Sequence, residues 1–519
     1  MTAAWTLPDN WTWVPLSELL SGIETGKSFK CDERPPRGDE VGVVKVSAVS
    51  WGEYQEQESK TCLDAARINP ELFVQPGDFL FSRANTQELV GACVIARQTK
   101  LHVMLSDKIL RFRFADAAMK YWLLPFLRSS NGRSQIESLA SGNQKSMRNI
   151  GQERIGQIQV PLPPRAEQTR IVAKLEELLS DLDAGVTELK AAQKKLKQYR
   201  QSLLKAAVEG ALTAEWRAQN TPLETGAQLL ARILTERRAR WETKQLAKFK
   251  EGKTPIKDWR KKYPEPLLPD TTELPELPAR WVWVSVDQLS EFVRNGISMT
   301  PNTNRQGFPI FKINAVRPMA VSFSAIKHIE INEKEAEDYW VEVGDVLATR
   351  YNGSVDLLGV FGMVKAIPNR TLYPDKLIRM KPLLGEQSGA WLEVCGNVGI
   401  SRSHLVSRVK TTAGQTGISG EDLKRTPIPL PPRAEQQAVL AGLEARLRVI
   451  EELEAPTKLS LKQSTAQSQN ILRAAFAGQL VPQDPKDEPA SVLLARIRAK
   501  RAAADAAKSP PDRKPKEAA

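Results

Sequence analysis

The sequence is poor in the residue types that build metal sites and disulfide frameworks. Its 519 residues include four cysteines and three histidines. The cysteines are Cys31, Cys62, Cys93 and Cys395, and no two of them form a CxxC pair. Structural zinc sites and disulfide scaffolds place cysteines at short, regular spacings. The composition therefore indicates neither kind of site, and it leaves a histidine-based triad without any local motif.

The sequence also lacks the usual cofactor-binding motifs. No two of its 30 glycines are separated by a single residue, which excludes the GxGxxG signature of dinucleotide and S-adenosylmethionine loops. The segment Gly22–Ser28 resembles a phosphate-binding loop, but its glycines enclose three residues where that loop has four. The (Asn/Asp/Ser)-Pro-Pro-aromatic loop of base-flipping amino-methyltransferases is also missing. The chain thus offers no motif for ATP binding or methyl transfer.

Long hydrophobic runs are absent as well. No stretch of 18 apolar residues occurs, and the first residues lack the basic-then-apolar pattern of a signal peptide. We therefore expect a cytoplasmic protein without a membrane partner.

Positive charge is in excess, and it is unevenly distributed. There are 74 lysines and arginines against 61 aspartates and glutamates, a formal net charge of +13. Such an excess is typical of proteins that bind nucleic acid. The segment Arg232–Lys262 holds twelve basic and four acidic residues with aromatic residues interleaved. Two interpretations of this segment are open: it binds DNA, or it is an exposed helix with ordinary surface charge.

The chain consists of two copies of one module. The octapeptide PLPPRAEQ occupies Pro161–Gln168 and recurs 268 residues later at Pro429–Gln436. Weaker echoes keep nearly the same offset, among them VQPGDFLFSRAN from Val74 and VEVGDVLATRYN from Val341. This period is far longer than the roughly 20–50 residues of solenoid repeats. The pattern therefore indicates duplication of a whole module.

Each module begins with a mixed segment and ends with a long helix. Residues 1–160 and 277–428 alternate short apolar runs such as VGVVKVSAV with Gly, Pro and Asn, which predicts two α+β globular domains. In residues 161–215, leucines recur every seven positions and predict a coiled-coil-like helix. These helix-packing leucines are Leu175, Leu182, Leu189, Leu196 and Leu203.

The remaining segments complete the second module and join the two copies. Residues 429–484 begin a similar apolar stripe, but Pro456 predicts that this helix is kinked or split. Residues 216–276 are predicted to be a basic helical segment followed by a proline-rich linker. Residues 485–519 are predicted to be one more helix and a disordered basic tail that starts near Ala502.

Paired polar loops are the candidate functional sites. Arginine can bind guanine and asparagine can bind adenine bidentately, while small polar loops and lysines suit phosphate contacts. For each loop an ordinary turn or connector is the competing interpretation. The candidate DNA-binding residues are Arg83, Asn85, Lys108, Gln144 and Lys145 in the first copy, and Arg350, Asn352, Lys376 and Gln415 in the second.

Taken together, these features resemble the specificity (S) subunits of type I restriction-modification systems, along essentially the whole chain. Two divergent domains each carry a GD strand, and each is followed by (I/V)PLPPRAEQ, a long helix and an AA(V/F)xGxL ending. In the second half, GDVLATRYNGS, YPDKLIR and VKTTAGQTGISGEDL are similar to a recognition domain of the enterobacterial K-type subunits.

The resemblance implies an α+β fold with an internal pseudo-two-fold duplication. Two target recognition domains would each read one half of a bipartite, asymmetric site in double-stranded DNA. Two long antiparallel helices would separate them and dock two methyltransferase (M) subunits, which restriction (R) subunits would join. The chain itself would be non-catalytic, with S-adenosylmethionine, ATP and Mg²⁺ bound by its partners. Two alternatives stay open, a coiled-coil scaffold and a self-contained DNA-modifying enzyme with unrecognised motifs.

Overall fold

The computed structural model describes residues 6–50, 52–144, 146–250, 257–302, 304–412 and 415–508. They form two compact units, each built from both modules. The first unit comprises Met1–Lys190 and Lys458–Ala519, and the second comprises Ala191–Thr457.

Residues 6–208 contain thirteen described strands and five described α-helices. The strands are β1 (Thr12–Pro15), β2 (Leu20–Thr25), β3 (Cys31–Asp32), β4 (Val41–Val44), β5 (Ser59–Cys62), β6 (Phe79–Ser82), β7 (Ala84–Asn85), β8 (Cys93–Ile95), β9 (His102–Met104), β10 (Ile109–Phe114), β11 (Ser141–Gln144), β12 (Met147–Asn149) and β13 (Gln159–Leu162). The helices are α1 (Leu16–Leu19), α2 (Met119–Arg128), α3 (Ser130–Leu139), α4 (Gln152–Gly156) and α5 (Arg165–Val208).

The described elements after Val208 repeat much of this order. The helices are α6 (Ala214–Gln219), α7 (Gly226–Lys250), α8 (Val286–Leu289), α9 (Glu333–Ala336), α10 (Glu386–Asn397), α11 (Gly399–Ser407), α12 (Gly420–Lys424), α13 (Arg433–Phe476) and α14 (Ala490–Lys508). The strands are β14 (Val282–Ser285), β15 (Ser290–Asn295), β16 (Phe308–Phe311), β17 (Val316–Arg317), β18 (Ala320–Val321), β19 (Ile326–Ile329), β20 (Val346–Thr349), β21 (Phe361–Met363), β22 (Leu377–Pro382), β23 (Lys410–Thr412), β24 (Gln415–Gly417) and β25 (Pro427–Leu430).

A four-stranded antiparallel sheet lies at the centre of each module. Its order is β2-β10-β6-β8 in the first copy and β15-β22-β20-β21 in the second. All four residues of β6 and of β20 are buried, so these strands read as apolar runs rather than alternating patterns. In each copy the strand at the module's start pairs with the strand before the long helix, β1 with β13 and β14 with β25. The duplicated sequence thus forms a duplicated fold.

Outside the central sheets the two copies diverge. The first has a further sheet of order β3-β5-β4-β9, in which β4 and β9 are parallel. The second has two small two-stranded antiparallel sheets instead, β16 with β19 and β17 with β18. The expected strand VGVVKVSAV is shorter than predicted, because β4 ends at Val44 and a 3₁₀ turn follows at Val46–Ala48.

The long helices α5 and α13 each span 44 residues, or about 66 Å. In the first unit, Ile171 and Leu175 near the start of α5 share a core with Leu472 and Phe476 at the end of α13. In the second unit, the end of α5 shares a core with the beginning of α13, where Val439 lies. In both units, therefore, the start of one long helix packs against the end of the other. The two helices are antiparallel, as expected.

Burial along α5 is strongest near its two ends. Leu175 and Leu203 are buried, while Leu182, Leu189 and Leu196 are half-buried. Arg200 lies where the heptad pattern calls for an apolar residue, and it forms ion pairs with Glu451 and Glu454 of α13 at 3.5 and 3.9 Å.

The expected split of the second long helix and the expected start of the disordered tail were wrong. Helix α13 is continuous through Pro456, although a proline inside a helix costs about 3 kcal/mol. Ile450 before it and Leu472 after it are both buried, so packing on either side maintains the helix. Residues 502–508, expected to be disordered, continue α14 to Lys508, which agrees with the high helix propensity of their alanines. The rest of the expected tail, residues 509–519, lies outside the described residues.

Candidate nucleic-acid interface

A buried arginine fixes the GD strand in each module. In the first, Arg111 of β10 contacts Asp78 at 2.9 Å and Glu24 of β2 at 2.5 Å. Although burial alone would raise the pKa of Glu24, hydrogen bonds from Arg113 and Arg111 hold that pKa below its ordinary value. The network therefore ties the edge strand β2 and the central strand β10 to the residue that precedes β6.

The second module repeats the arginine–aspartate pair, but its glutamate comes from the segment just before the GD motif. Arg379 of β22 contacts Asp345 at 2.6 Å and Glu342 at 3.1 Å, and only 4% of its side chain is exposed. Burial raises the pKa of Asp345 to about 6, against the opposing effect of the Arg379 guanidinium. The preceding glycines, Gly77 and Gly344, have φ of +88° and +87°, a turn conformation that favours glycine. The GD motif is thus a turn followed by a buried ion-pair partner.

Beyond the GD strand, three separate candidate segments of the first module meet. The backbone N–H of Arg83 donates to the carbonyl of Lys108 at 2.9 Å, and that of Ile150 donates to Arg83 at 2.9 Å. Asn85 pairs with Arg148 in the β7–β12 register. Gln144 is exposed at the end of β11, which pairs with β12. Lys145 lies outside the described residues.

The same three segments meet in the second module. Arg350 N–H donates to the Lys376 carbonyl at 2.8 Å, and Ile418 N–H donates to Arg350 at 3.0 Å. Asn352 N–H donates to Thr416 at 3.4 Å, beside Gln415 in β24. We call each meeting point the junction of its module. The first junction consists of residues 83–85, 107–108, 141–144 and 146–150, and the second of residues 350–352, 375–376 and 415–418.

Part of each asparagine side chain is used in its own turn. The Oδ1 atom of Asn85 accepts a hydrogen bond from Thr86 N–H at 2.8 Å, and that of Asn352 accepts one from Ser354 N–H at 3.0 Å. Arg83 Nε donates to Asn149 Oδ1 at 3.3 Å. These bonds fix the orientation of the side chains, while the amide NH₂ groups and the guanidinium Nη groups keep donors for a ligand.

Tyr351 belongs to the second junction and was not among the sequence candidates. The Arg350 guanidinium lies 4.8 Å and the Lys376 ammonium 5.0 Å from the centre of its ring. A side chain at Gly417 would place its Cβ 2.4 Å from the tyrosine Cδ1, so the close approach requires glycine there. The first module has Ala84 at the corresponding position. The sequence does show an aromatic residue between Arg350 and Asn352. Comparison of the two copies does not single it out, because the first copy has alanine at this position.

A serine and an aspartate also meet beside each candidate lysine. Ser28 Oγ donates to Asp107 Oδ1 in the first module, and Ser298 Oγ donates to Asp375 Oδ2 at 3.4 Å in the second. Ser28 is the last residue of the apparent phosphate-binding loop. That segment consists of β2 and a loop in which a Cβ on Gly26 would lie 1.8 Å from the Leu105 carbonyl oxygen. Its glycine therefore serves a close backbone approach, and the strand–loop–helix arrangement of a P-loop is not formed here.

The described part of the chain offers few groups for other chemistry. Within it, no cluster of three or more His, Cys, Asp and Glu residues could hold a metal ion. None of its helices has the length and apolar composition needed to cross a membrane. All four cysteines are free thiols.

Comparisons with known proteins extend over nearly the whole chain. No family model matches it. The chain is 26% identical over 528 residues to the type I restriction enzyme EcoKI specificity subunit of Escherichia coli K12, covering 98% of this chain and 99% of that one. It is 25% identical over 511 residues to the StySPI specificity subunit of Salmonella potsdam, covering 96% of each chain.

A solved structure shares the fold. This chain resembles a chain from a structure of a type I R-M system with a TM-score of 0.56 and 18% sequence identity, covering 92% of this chain and all of the other. End-to-end similarity to several specificity subunits thus accompanies the duplicated fold. The resemblance recognised in the sequence is thus confirmed: along nearly its whole length the chain is similar to type I restriction enzyme specificity subunits.

Proposed function

We propose that this chain gives a type I restriction-modification complex its DNA sequence specificity. Each recognition domain reads one half of a bipartite, asymmetric site, and the long helices set the gap between the halves. The observation that carries this proposal is the junction, which brings the same three polar segments together with the same backbone hydrogen bonds in both modules. The matched Arg, Asn, Lys and Gln are the same in both copies, but their neighbours differ, as Ala84 does from Tyr351, so two copies can read two different half-sites.

The side chains at each junction suit two kinds of contact, one with base edges and one with phosphates. Arg83 and Arg350 would contact guanine edges, and Asn85 and Asn352 would contact adenine edges. The lysines and the glutamine-bearing hairpins would contact phosphates, which orient the protein on the duplex without reading its sequence. The lysines concerned are Lys108, Lys145 and Lys376, and the glutamines are Gln144 and Gln415.

The chemistry would take place on partner chains. Two M subunits would dock on the long helices and bind S-adenosylmethionine, and R subunits would bind ATP and Mg²⁺ for translocation and cleavage. This chain would bind no cofactor and would act in the cytoplasm on chromosomal DNA. The missing cofactor motifs support this assignment.

Co-expression of the chain with its M subunits in a host without other methyltransferases tests the proposal. Sequencing of modified bases should reveal one motif made of two short halves separated by a fixed gap. Replacing Arg350 and Asn352 by alanine should alter or abolish recognition of one half only, and replacing Arg83 and Asn85 should affect only the other. Removal of each base-contacting side chain should reduce discrimination by about 1–3 kcal/mol, or roughly 5- to 150-fold.

Controls separate this function from the alternatives. Alanine at Lys486, an exposed residue outside the long helices and the junctions, should leave both halves of the motif unchanged. Methylation by the purified chain without M subunits would instead identify a self-contained enzyme. If cells lacking this chain carried the same methylated motif, the chain would not determine sequence specificity. It would then be a scaffold, and the proposal would be wrong.

A further inference from the structure

The end of helix α7 carries basic residues that the junctions do not use. Lys248 and Lys250 are exposed in the last turns of the helix. Lys257 and Lys262 are exposed in the segment that follows. We call these four lysines the α7 basic face.

Aromatic contacts attach the following segment to α7. The Trp259 ring lies 5.7 Å from that of Trp241 and 5.4 Å from that of Phe249. The Tyr263 ring lies 5.4 Å from Trp241, and its hydroxyl accepts a hydrogen bond from Arg237 Nη1 at 2.7 Å. Because these contacts bring the segment back against the helix, all four lysines belong to one local surface.

Other basic residues of this region already have carboxylate partners. Arg238 and Arg260 lie 3.4 and 3.7 Å from Glu242, and Arg240 lies 2.7 Å from Glu236. Within the described ranges, no carboxylate lies within 4.0 Å of the amino groups of the α7 basic face. Excess positive charge is therefore concentrated at the end of the helix rather than spread along it.

Helix α7 runs alongside β15, the edge strand of the second central sheet. Arg237 Nε donates to the Ser290 carbonyl at 3.1 Å, and seven residues later Lys244 Nζ lies 6.0 Å from the Phe292 ring. The helix and the strand therefore advance in the same direction.

This direction leads toward the second junction. From Lys244 to Lys250 the helix rises about 9 Å. From the level of Phe292 to Asn295 the strand rises about 10 Å. Asn295 pairs with Ile378, which lies two residues beyond Lys376 of the junction. The α7 basic face thus lies toward the end of the sheet that carries the junction.

We propose that the α7 basic face binds the phosphates of DNA that flanks the second half-site. This inference rests on the proposed function and adds a sequence-independent contact outside the recognised bases. Four exposed ammonium groups, without a carboxylate partner among the described residues, suit the closely spaced charges of a duplex backbone, where each neutralised phosphate releases a counterion. Between Lys244 and Lys250 and between Lys257 and Lys262, the structure describes one exposed large apolar residue, Leu246, that could anchor a protein partner.

The salt dependence of binding tests this surface. The complex of this chain with its M subunits is titrated onto duplexes carrying the motif found by methylome sequencing, with long or short flanks beside the second half. Replacing Lys248, Lys250 and Lys262 by glutamine should flatten the plot of log binding constant against log salt by about 0.9 for each phosphate no longer neutralised. Nuclease protection of that flank should shrink, while the methylated motif stays the same.

A matched variant controls for the removed charge. Replacing Lys100, Lys334 and Lys486, three exposed lysines outside the long helices and the junctions, by glutamine removes the same charge and should leave slope and footprint as in wild type. Equal slopes for wild type and the α7 variant would overturn the inference while leaving sequence recognition intact. Failure of the α7 variant to assemble with M subunits would assign the surface to a protein partner and also overturn it. If the wild-type complex showed no sequence preference, the proposed function itself would fail.

Discussion

At the scale of single residues, Tyr351 holds two like charges close together. Each of the contacts from Arg350 and Lys376 to its ring is worth about 0.5–1 kcal/mol at an exposed site. The buried Nε atom of Arg350 has no hydrogen-bond partner among the described residues. The ring therefore accounts for much of what orients this guanidinium.

We expect Tyr351→Ala to weaken binding through the second half-site by about 5- to 30-fold, the equivalent of about 1–2 kcal/mol. Tyr351→Phe should retain most of the affinity because it keeps the aromatic face. Binding of the assembled complex to duplexes mutated in one half at a time provides the measurement. A loss of discrimination at the first half-site, whose junction has Ala84 instead, would contradict a positioning role for this ring.

The sequence predicts the junction segments but not their internal contacts. The constant offset between copies is enough to match Arg83 with Arg350 and Lys108 with Lys376. Tyr351 has no aromatic counterpart in the first copy, so the offset could not reveal it. The contacts from Ser28 and Ser298 to their aspartates join residues 79 and 77 positions apart, and no local pattern encodes pairs that distant.

At the scale of elements, the repeated octapeptide connects each recognition domain to its long helix. Trp122 Nε1 donates to the Pro161 carbonyl at 2.8 Å, and Trp391 Nε1 donates to Pro429 at 2.8 Å. The prolines belong to β13 and β25, which precede the helices directly. The identity of the two copies is thus explained by packing that both modules need, and the motif takes no part in the junctions.

The glutamate of this motif is a buried acceptor in both modules. Glu435 is 1% exposed, and it accepts hydrogen bonds from Trp281 Nε1 at 2.8 Å, Thr213 Oγ1 at 2.8 Å and Arg217 Nε at 2.9 Å. In the other module, Glu167 accepts one from Trp11 Nε1 at 2.9 Å. Removing such an acceptor leaves several buried donors unsatisfied.

We expect Glu435→Ala to lower the free energy of unfolding by about 3 kcal/mol or more, because it leaves the largely buried guanidinium of Arg217 without its charge partner. Glu435→Gln should cost less, since its amide oxygen can still accept. Urea unfolding followed by tryptophan fluorescence measures both changes. Glu444→Gln is the control, because that side chain is 74% exposed, and a comparable loss there would contradict the assignment.

At the scale of the whole molecule, each unit is completed by a segment distant in sequence. Ala490 N–H at the start of α14 donates to the Asn10 carbonyl at 3.1 Å in the first unit. Gly226 N–H at the start of α7 donates to the Arg280 carbonyl at 2.8 Å in the second. Helices α7 and α14, which lie beyond α5 and α13 in the chain, therefore pack on the beginning of the other module. Duplication predicted two modules, but only the structure shows that the modules exchange their final segments.

The length of the long helices should determine the gap in the DNA target. Inserting seven residues after Lys190 in α5 and seven after Thr457 in α13 would lengthen both by about 10 Å and keep the apolar stripes in register. We expect the gap to grow by about three base pairs, at 3.4 Å for each, while both half-sites stay the same. Sequencing of methylated bases reports gap and half-sites together. The same seven residues inserted after Glu273, in the proline-rich linker, should leave the gap unchanged. Altered half-sites with an unchanged gap would show that the helices do not set the spacing.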